Sequence, residues 1–402
     1  MRWRQVAEAV GLLDGGGVVR PTVFAEMSAL AARTGALNLG QGFPDVDGPA
    51  HVVAAAQAAL ASGRNQYAPG DGVPELRRAI ADHQRRHYGL TWDPDSEVLV
   101  TTGATEGIAA AVLALAGPGD EVVTLEPYYD SYAAVVAMAG ARLRTVPLAL
   151  GDGPRFRLDV AALRAAMGER TRVVLLNSPH NPTGVVLGHD DLAEVARLAA
   201  ETGAVVVTDE VYEHLTYGTR HVPLATLPGM AGRTLTVSSA GKTLSFTGWK
   251  VGWVTGPAEL VTAVRTVKQF LTYTSGAPLQ PAVAAALADT DGRVAEYVAT
   301  LRASLEARRD LLVAGLGEVG FGVVVPDGGY FVVADAAPFA DDGAQLCREL
   351  PTRAGVVAVP VSAFCRAGSP AAQRLRTWVR FTFVKREEVL AEAVERLRGL
   401  GA

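Results

Sequence analysis

Short apolar runs rich in β-branched residues alternate along the chain with longer stretches rich in alanine, leucine and arginine. This alternation predicts strands separated by helices, which is typical of an α/β protein with a parallel sheet. The predicted strands are residues 97–102, 121–125, 171–176, 204–208, 234–237 and 252–254. The helices predicted between them are residues 105–115, 130–138, 158–166 and 190–201.

The pattern changes after Pro281. A long helical segment is predicted at residues 282–316, followed by strands at 322–325, 330–334 and 376–383 and a final helix from Glu387. We therefore expect a large α/β domain with a mostly parallel sheet between helices, and a smaller α+β domain built from both termini. The expected division is an N-terminal arm and part of the small domain at 1–50, the large domain at 51–285 and the small C-terminal domain at 286–402.

Three glycines, Gly315, Gly317 and Gly320, match the spacing of the dinucleotide-binding fingerprint. That fingerprint has to follow a strand and open a helix, because the pyrophosphate binds at the helix N-terminus. Here the glycines follow a predicted helix at 305–314 and precede a strand. We therefore interpret them as a helix C-cap and turn.

Composition narrows the class of protein further. The 402-residue chain is 49% hydrophobic and can bury a large core. Its net charge of −5 provides no basic surface for nucleic acid. Two cysteines, Cys347 and Cys365, are too few for a disulfide framework or a zinc site. Because no apolar run has the ~20 residues of a membrane helix and the N-terminus has no leader pattern, we expect a cytoplasmic protein without a membrane or metal as partner.

Polar, glycine-rich or ionisable segments follow five consecutive predicted strands. In an open parallel sheet, ligands bind beyond the carboxyl ends of the strands. The five segments are residues 101–107, 126–132, 177–184, 209–214 and 238–250. Their positions predict one crevice that all five segments line.

Lysine is rare, since only Lys242, Lys250, Lys268 and Lys385 occur among the 37 basic side chains. Lys242 follows an apolar strand and lies among serine, threonine and glycine residues. Such neighbours let a phosphate approach the backbone, which favours an imine-forming lysine over the alternative of a solvated loop lysine. Lys268, on a helix predicted at 259–271, and Lys385 are expected at the surface.

Two polar residues in the predicted crevice each have two interpretations. Asp209 ends an apolar run, where a carboxylate needs a cation or a donor; a protonated ring nitrogen would serve, and a helix N-cap is the alternative. Tyr212 is close enough in sequence to reach the same ligand. Asn181 lies between prolines, where its amide would donate to a phenolate oxygen or simply form an Asn-Pro turn.

Two further positions suggest anion binding. Gly103, Ala104 and Thr105 precede a predicted helix, so their N–H groups are candidates for cradling a phosphate. Arg380 lies on the predicted strand 376–383, and its planar fork suits a carboxylate. The alternative for Arg380 is a strand arginine that faces solvent.

Six motifs, in this order, resemble those of the class I/II aminotransferases of pyridoxal-phosphate fold type I. The segment that carries Lys242, SAGKTLSFTGWKVGW at 239–253, looks like the cofactor-lysine segment of that family. The other motifs are NLGQGFPD at 38–45, NQY at 65–67, NSPHNPTG at 177–184, DEVY at 209–212 and VRFTFVK at 379–385. The resemblance spans roughly residues 20–400 and implies pyridoxal 5′-phosphate as the cofactor.

The resemblance also implies a role for each matching residue. Lys242 would bind the cofactor as an imine and then move a proton, and Asp209 would pair with the ring nitrogen. Asn181 and Tyr212 would bind the phenolic oxygen, and Tyr129 would stack on the ring. The phosphate would be held by Gly103, Ala104, Thr105, Ser239, Lys250 and, from the second subunit of a homodimer, Tyr67.

The resemblance places the substrate at Arg380, which would bind the α-carboxylate with help from Gly42. Lys250 and NLGQGFPD match the kynurenine/glutamine transaminase branch, but Phe24 stands where that branch has a pocket tryptophan. Residues 275–278 are Ser-Gly-Ala-Pro, which indicates a less aromatic pocket and a longer or more polar substrate.

Actinobacterial enzymes assigned as N-succinyldiaminopimelate aminotransferases share residues 22–30, 102–106 and 275–278. The expected function is therefore transfer of an amino group between an L-amino acid and a 2-oxo acid, with an N-succinyldiaminopimelate-like compound or an unusual natural-product amino acid as the candidate substrates. The alternatives are a kynurenine/glutamine-type transaminase with cysteine-conjugate β-lyase activity, and a non-catalytic cofactor-binding regulator.

Overall fold

The computed structural model describes residues 1–151 and 155–401. The α-helices are α1 (Arg2–Ala9), α2 (Val23–Thr34), α3 (Ala50–Ala61), α4 (Pro74–Tyr88), α5 (Gly103–Leu115), α6 (Ser131–Ala139), α7 (Val160–Ala166), α8 (His189–Thr202), α9 (Ala240–Thr243), α10 (Ala258–Lys268), α11 (Gln280–Ala288), α12 (Arg293–Val319), α13 (Gly343–Arg353), α14 (Pro370–Arg374) and α15 (Glu387–Leu397). The strands are β1 (Leu37–Asn38), β2 (Val98–Thr102), β3 (Glu121–Glu126), β4 (Arg142–Pro147), β5 (Ala149–Leu150), β6 (Phe156–Arg157), β7 (Thr171–Asn177), β8 (Val205–Asp209), β9 (Thr234–Ser239), β10 (Val251–Thr255), β11 (Gly322–Val324), β12 (Phe331–Asp335), β13 (Val356–Val357), β14 (Val359–Pro360) and β15 (Trp378–Thr382).

A seven-stranded sheet organises the larger part of the protein, with the strand order β2-β10-β9-β8-β7-β3-β4. All neighbours pair in parallel except β10, which is antiparallel to both β2 and β9. Helices cover both faces, so alternate side chains of one strand enter different cores. In β7, Val173 packs with α5 and α6, whereas Val174 packs with α8.

A second, four-stranded sheet has the order β11-β12-β15-β14 and is antiparallel. Helices α12, α13 and α15 pack on it in one hydrophobic core. The segment from α2 to β1 joins this part of the protein, because β1 pairs in parallel with β13, whereas α1 packs against α6 of the larger part. The expectation of an α/β fold with a mostly parallel sheet and a smaller α+β part is confirmed. No helix within the described ranges is both long and apolar enough to cross a membrane.

Several elements differ from the sequence-based expectations. The helix expected at 282–316 is two helices, α11 and α12, because Asp289 and Gly292 adopt left-handed backbone conformations between them. The glycine motif lies within and at the end of α12. Gly320 is the C-cap, at φ 110°, whereas Gly315 lies within the helix and packs against Val394 of α15. The edge strand β4 was not predicted.

Two lysines expected at the surface are buried. Lys268 is 1% exposed, and its amine donates hydrogen bonds to the backbone oxygens of Gly70 and Tyr273. Lys385 is 8% exposed and donates to the backbone oxygen of Phe43. The expectation of surface lysines is therefore wrong, because backbone carbonyls of distant loops satisfy both amines.

Candidate active site

A cavity of about 180 Å³ lies at the carboxyl ends of the parallel strands. All five polar segments contribute to its wall, which confirms the expected crevice. Its lining consists of Gly103, Ala104, Thr105, Ile108, Tyr129, Asn177, Asn181, Asp209, Val211, Tyr212, Ser239, Gly241, Lys242, Thr247, Lys250 and Val251.

One end of the cavity has the properties of a phosphate site. Helix α5 begins at Gly103, directly after β2, so its first N–H groups point into the cavity with the positive end of the helix dipole. Lys250 holds a left-handed conformation at φ 54°, and its amine lies against Gly103, where an added Cβ would come within 3.2 Å. A side chain at Gly252 would meet the backbone of Gly103 at 2.5 Å, so glycine is required there for the strand to approach the helix start.

The opposite end of the cavity contains a buried carboxylate. Asp209 ends β8, is 6% exposed and accepts a hydrogen bond from the Tyr132 hydroxyl at 2.7 Å. Burial raises the pKa of Asp209 to about 6, against the opposing effect of that hydrogen bond. No helix follows Asp209, so the alternative of a helix N-cap is wrong. A cationic nitrogen placed beside this carboxylate would stabilise its charged form.

Lys242 is placed by the short helix α9, between these two ends. Its amine donates a hydrogen bond to the Tyr330 hydroxyl at 2.8 Å, and that hydroxyl donates to the backbone oxygen of Gly42 at 2.5 Å. The rings of Tyr330 and Tyr212 lie 5.4 and 5.7 Å from the amine. Lys242 therefore lies in an aromatic niche, and the alternative of a solvated loop lysine is wrong.

A buried guanidinium lies beside the cavity. Arg380 is 2% exposed, so the alternative of a solvent-facing arginine is wrong. It donates to Asn181 Oδ1 at 3.0 Å and to the backbone oxygen of Gly40 at 2.8 Å, and its Nε has no partner among the described residues. The ring of Phe331 lies 3.8 Å from its central carbon. Burial lowers the pKa of Arg380 to about 10, which still leaves it charged at neutral pH.

Arg380 also has no carboxylate within ion-pair distance among the described residues. A buried cation without an anionic partner is unfavourable unless a ligand supplies the charge. Arg380 is therefore suited to a carboxylate of a bound substrate.

Three further expected residues lie close to these groups. Tyr129 lines the cavity beside Thr105, and burial raises its pKa to about 12. The ring of Phe24 lies 5.5 Å from the Arg380 guanidinium. A side chain at Gly42 would meet the ring of Phe331 at 2.3 Å, so the backbone passes directly over that ring.

Tyr67 is the expected site residue that the chain does not bring to the cavity. It is 83% exposed, and its nearest aromatic neighbour is Tyr273, at 5.7 Å between ring centroids. A side chain this exposed is available to a second protein chain.

Two residues of the site were missed by the sequence analysis. Tyr132 lies in the first turn of α6, three residues after Tyr129, inside a segment that was already recognised as polar. Tyr330 comes from the second sheet, directly before β12, and no sequence signal links it to Lys242.

The polar groups of the cavity fit pyridoxal 5′-phosphate. A helix start and a lysine amine suit its phosphate, a second lysine amine suits its aldehyde, and a buried carboxylate suits its ring nitrogen. These groups, on a mostly parallel sheet with a second smaller sheet beside it, define a pyridoxal-phosphate-dependent enzyme of fold type I.

The chain belongs to the aminotransferase class I and II family, whose model matches residues 34–397. It is a pyridoxal-phosphate-dependent aminotransferase. A probable N-succinyldiaminopimelate aminotransferase of Mycobacterium tuberculosis is 57% identical over 94% of this chain and 95% of its own length. The methionine aminotransferase of Escherichia coli is 40% identical over 94% of this chain and 96% of its own length.

Solved structures agree with this assignment. The N-succinyldiaminopimelate aminotransferase of Mycobacterium tuberculosis superposes with a TM-score of 0.90 at 56% identity, covering 94% of this chain and 97% of that one. The aspartate aminotransferase of Thermus thermophilus, with maleate, gives a TM-score of 0.87 at 35% identity, covering 95% of this chain and 97% of that one.

The raised pKa of Asp209 predicts how stability depends on pH in the protein stripped of cofactor. The folded state keeps the carboxyl proton up to about pH 6, whereas the unfolded chain releases it near its ordinary pKa of 3.8. The unfolded state therefore binds fewer protons between these values, and rising pH weakens folding across that window. Asp209→Asn removes this effect, so above pH 6 the variant should be more stable than the wild type, by on the order of 1–3 kcal/mol.

Urea unfolding of both cofactor-free proteins from pH 4 to pH 8 measures this difference. The stability gain of the variant should grow between pH 4 and 6 and then stay constant. A difference that does not change with pH would mean that the Asp209 carboxyl ionises normally in the folded protein.

Proposed function

We propose that this aminotransferase recognises the α-carboxylate of its substrates through Arg380 and that N-succinyldiaminopimelate is among those substrates. The observation that carries the proposal is the buried Arg380 guanidinium, which lies beside the lysine cavity and has no carboxylate within ion-pair distance among the described residues, since Asp130 acts on it only from farther away. A substrate carboxylate would supply the missing charge in a fork-to-fork arrangement.

Each end of the cavity would hold one part of the cofactor. Gly103, Ala104 and Thr105 would bind the phosphate with their N–H groups, helped by Ser239 and Lys250. Asp209 would pair with the ring nitrogen, which bound pyridoxal phosphate uses to draw negative charge away from the substrate Cα. Tyr132 would hold the Asp209 carboxylate in place through its hydroxyl.

The middle of the cavity would orient the ring. Asn181 accepts a hydrogen bond from Arg380 with its oxygen, so its amide nitrogen is left to donate to the phenolic oxygen. Tyr212 would donate to the same oxygen, and Tyr129 would cover the ring face. Asn181 would thereby couple the position of the cofactor to that of the carboxylate-binding arginine.

Lys242 would carry the proton in the transamination. Its amine would accept the proton from the substrate Cα and deliver it to the neighbouring carbon of the cofactor. Tyr330 would hold this amine through the hydrogen bond of 2.8 Å. Because Arg380 would fix the carboxylate, the Cα–H bond would be the one left free to align for cleavage. This arrangement favours transamination over decarboxylation.

We propose two domains with the boundaries expected from the sequence. Every residue that lines the cofactor cavity lies within 51–285. Arg380, Phe24 and Gly42, the residues assigned to the substrate, lie in 1–50 and 286–402. The substrate carboxylate would therefore bind where the smaller domain meets the cofactor-binding domain.

The substrate assignment rests on relatives and on the pocket. The Mycobacterium tuberculosis relative that is 57% identical carries the name of N-succinyldiaminopimelate aminotransferase. Kynurenine–oxoglutarate transaminase 3 of Homo sapiens is less similar, at 38% identity. The small residues 275–278 and Phe24 support a substrate longer than an aromatic amino acid.

Arg380→Ala should raise KM for amino-acid substrates and lower kcat/KM by about 100-fold or more, because the carboxylate would lose its only buried cationic partner. Steady-state kinetics measures the change, and the absorbance of bound cofactor checks that the site is intact. Arg376→Ala, at an arginine four residues earlier whose side chain is 63% exposed, is the matched control and should behave as wild type. Equal KM values in both variants would place the carboxylate elsewhere.

The substrate class can be read from single half-reactions. Holoenzyme mixed separately with N-succinyldiaminopimelate, glutamate, methionine or kynurenine should lose the absorbance of the aldehyde form of the cofactor and gain that of the amine form. We expect N-succinyldiaminopimelate and glutamate to react at least about 10-fold faster than kynurenine. A preference for kynurenine would support the alternative branch, and release of pyruvate and ammonia from a cysteine conjugate would show β-lyase activity.

We also propose a homodimer in which Tyr67 completes the phosphate site of the partner. The ring of Tyr273, 5.7 Å from that of Tyr67, is 40% exposed, and Phe270, three residues before Tyr273, is 87% exposed. Exposed apolar side chains clustered in this way are typical of an interface. The neighbouring cavity would then lie close to the contact between the two chains.

Hybrid dimers test the sharing of Tyr67. Lys242→Ala should be inactive and Tyr67→Ala should bind the cofactor more weakly. A dimer of one Lys242→Ala chain and one Tyr67→Ala chain has one site with both native residues, so it should regain about half of the wild-type activity. Hybrids no more active than the Tyr67→Ala dimer would show that Tyr67 does not act across the interface.

A further inference from the structure

Three histidines meet outside the cofactor cavity, in the wall of a second cavity next to it. His83 and His87 are four residues apart on α4 and therefore share one helix face. His214 joins them from the turn that follows β8. The ring centroids are separated by 4.5 Å (His83–His87), 5.0 Å (His83–His214) and 4.8 Å (His87–His214). One ring nitrogen from each histidine lies within 4.8 Å of the other two.

This cluster opens into a cavity of about 920 Å³, much larger than the cofactor cavity. Its wall includes the three histidines and, on the side towards the active site, Ser239 and Thr243. Ser239 lines both cavities, so the two are separated by little more than the segment that carries Lys242. None of the residues assigned to the aminotransferase reaction other than Ser239 belongs to the larger cavity.

We propose that His83, His87 and His214 form a binding site for a divalent transition-metal ion, with zinc as the ion that suits them best. Imidazole nitrogens are preferred ligands of Zn²⁺, and three of them leave a fourth position for water or a ligand from the cavity. Two histidines at this helical spacing are a frequent arrangement in zinc sites.

The distances match such a centre. Metal–nitrogen bonds of about 2.0–2.1 Å in a tetrahedral site place ligand nitrogens roughly 3.3 Å apart. The Nε2 atoms of His83 and His214 are 2.8 Å apart, so they already converge on one point. At this separation the two nitrogens cannot both carry a proton, which leaves at least one lone pair directed into the cluster. His87 is exposed and has a ring nitrogen within 4.8 Å of those of the other two histidines, so a change in its side-chain torsions would complete the triangle.

Among the charged groups around the cluster, Glu213 favours a cation, whereas Arg86 and Arg302, which line the same cavity, oppose it. Glu213, next to His214 in sequence, is 5% exposed and accepts hydrogen bonds of 2.6 Å from the hydroxyls of Tyr88 and Ser238. No lysine or arginine forms an ion pair with it within residues 1–151 and 155–401. A metal ion bound by the neighbouring histidines would supply the positive charge that this buried carboxylate lacks.

The metal ion would link two parts of the protein. His83 and His87 belong to α4, whereas His214 belongs to the segment that also carries Asp209 and Tyr212. Binding would therefore fix the segment that holds the cofactor ring against a helix outside the sheet. The sequence analysis expected no metal because it weighed only the cysteines as ligands.

Metal binding by untagged holoenzyme tests the site. The protein, treated with a chelator and desalted, would be titrated with Zn²⁺ in competition with a chromophoric chelator. We expect one Zn²⁺ per chain with a Kd of about 1 µM or lower. Bound Co²⁺ should give the intense visible absorption of a tetrahedral site, and saturating Zn²⁺ should raise the Tm of the protein.

His87→Gln is the decisive variant, because this exposed side chain can be replaced without disturbing the core. It should weaken Zn²⁺ binding at least about 10-fold and abolish the intense Co²⁺ absorption. His189→Gln, at an exposed histidine on α8 with a side chain 71% exposed, is the matched control and should bind as wild type. His214→Gln provides a second loss of a ligand, with circular dichroism to check folding.

Two results would overturn the proposal. One is a holoenzyme that takes no Zn²⁺ from the chelator, which would make the cluster a hydrogen-bonded histidine pair with a third ring beside it. The other is equal affinity in the His87→Gln and His189→Gln variants, which would place the bound ion elsewhere on the protein.

Discussion

The active site depends on two buried groups of opposite charge that do not form an ion pair with each other. The Asp209 carboxylate is 6% exposed and the Arg380 guanidinium is 2% exposed. Each would be more stable in water or beside an opposite charge of the protein. The fold instead satisfies them with neutral partners, a tyrosine hydroxyl for Asp209 and an amide and backbone oxygen for Arg380. Both charges are thus left to act on a ligand, and the surrounding core has to hold them there.

That core is supplied by a sheet whose strands are covered on both faces. Asp209 lies at the end of β8, which has neighbours in parallel on each side. The strand is extended by a turn that brings Tyr212 to the cavity, and the next strand in the sheet leads to Lys242. Packing at Gly252, where no side chain fits, brings the start of α5 to the same edge. Rigid elements therefore position Asp209, Lys242 and Arg380, while the loops that follow the strands carry Tyr129, Asn181, Tyr212 and Lys250.

The sequence predicted the parts of this arrangement that depend on local pattern. Six of the seven strands of the central sheet, β2, β3, β7, β8, β9 and β10, were predicted to within one or two residues, because continuous β-branched runs are typical of buried strands. The polar segments after them identified the cavity. The motifs of a known family then identified the cofactor and the reaction. The pattern alone had left open whether Lys242 was a solvated loop lysine, whether Asn181 only formed a turn and whether Asp209 was a helix N-cap.

The remaining features depend on contacts between distant segments, which a local pattern does not contain. Lys268 and Lys385 were expected at the surface. The Lys268 amine donates to the backbone oxygen of Gly70, 198 residues away in sequence, and the Lys385 amine donates to that of Phe43, 342 residues away. Tyr330 reaches Lys242 across 88 residues. The break between α11 and α12 did have a local signal, Asp289 to Gly292, but the alanine-rich flanks on both sides favoured one continuous helix.

Asn181 explains how Asp209 and Arg380 can lie on different sheets and still act on one ligand. Its oxygen accepts from Arg380, which comes from β15 in the second sheet, while its backbone N–H donates to Asn177 at the end of β7 in the first sheet. The amide is therefore oriented by groups from both sheets. With its oxygen occupied by a cation, the amide can present only its N–H groups to the cavity, so the charge of Arg380 determines which polar group faces a bound ring. A substrate carboxylate bound by Arg380, as proposed above, would act on the same amide and would link recognition of the substrate to the orientation of the ring through one side chain.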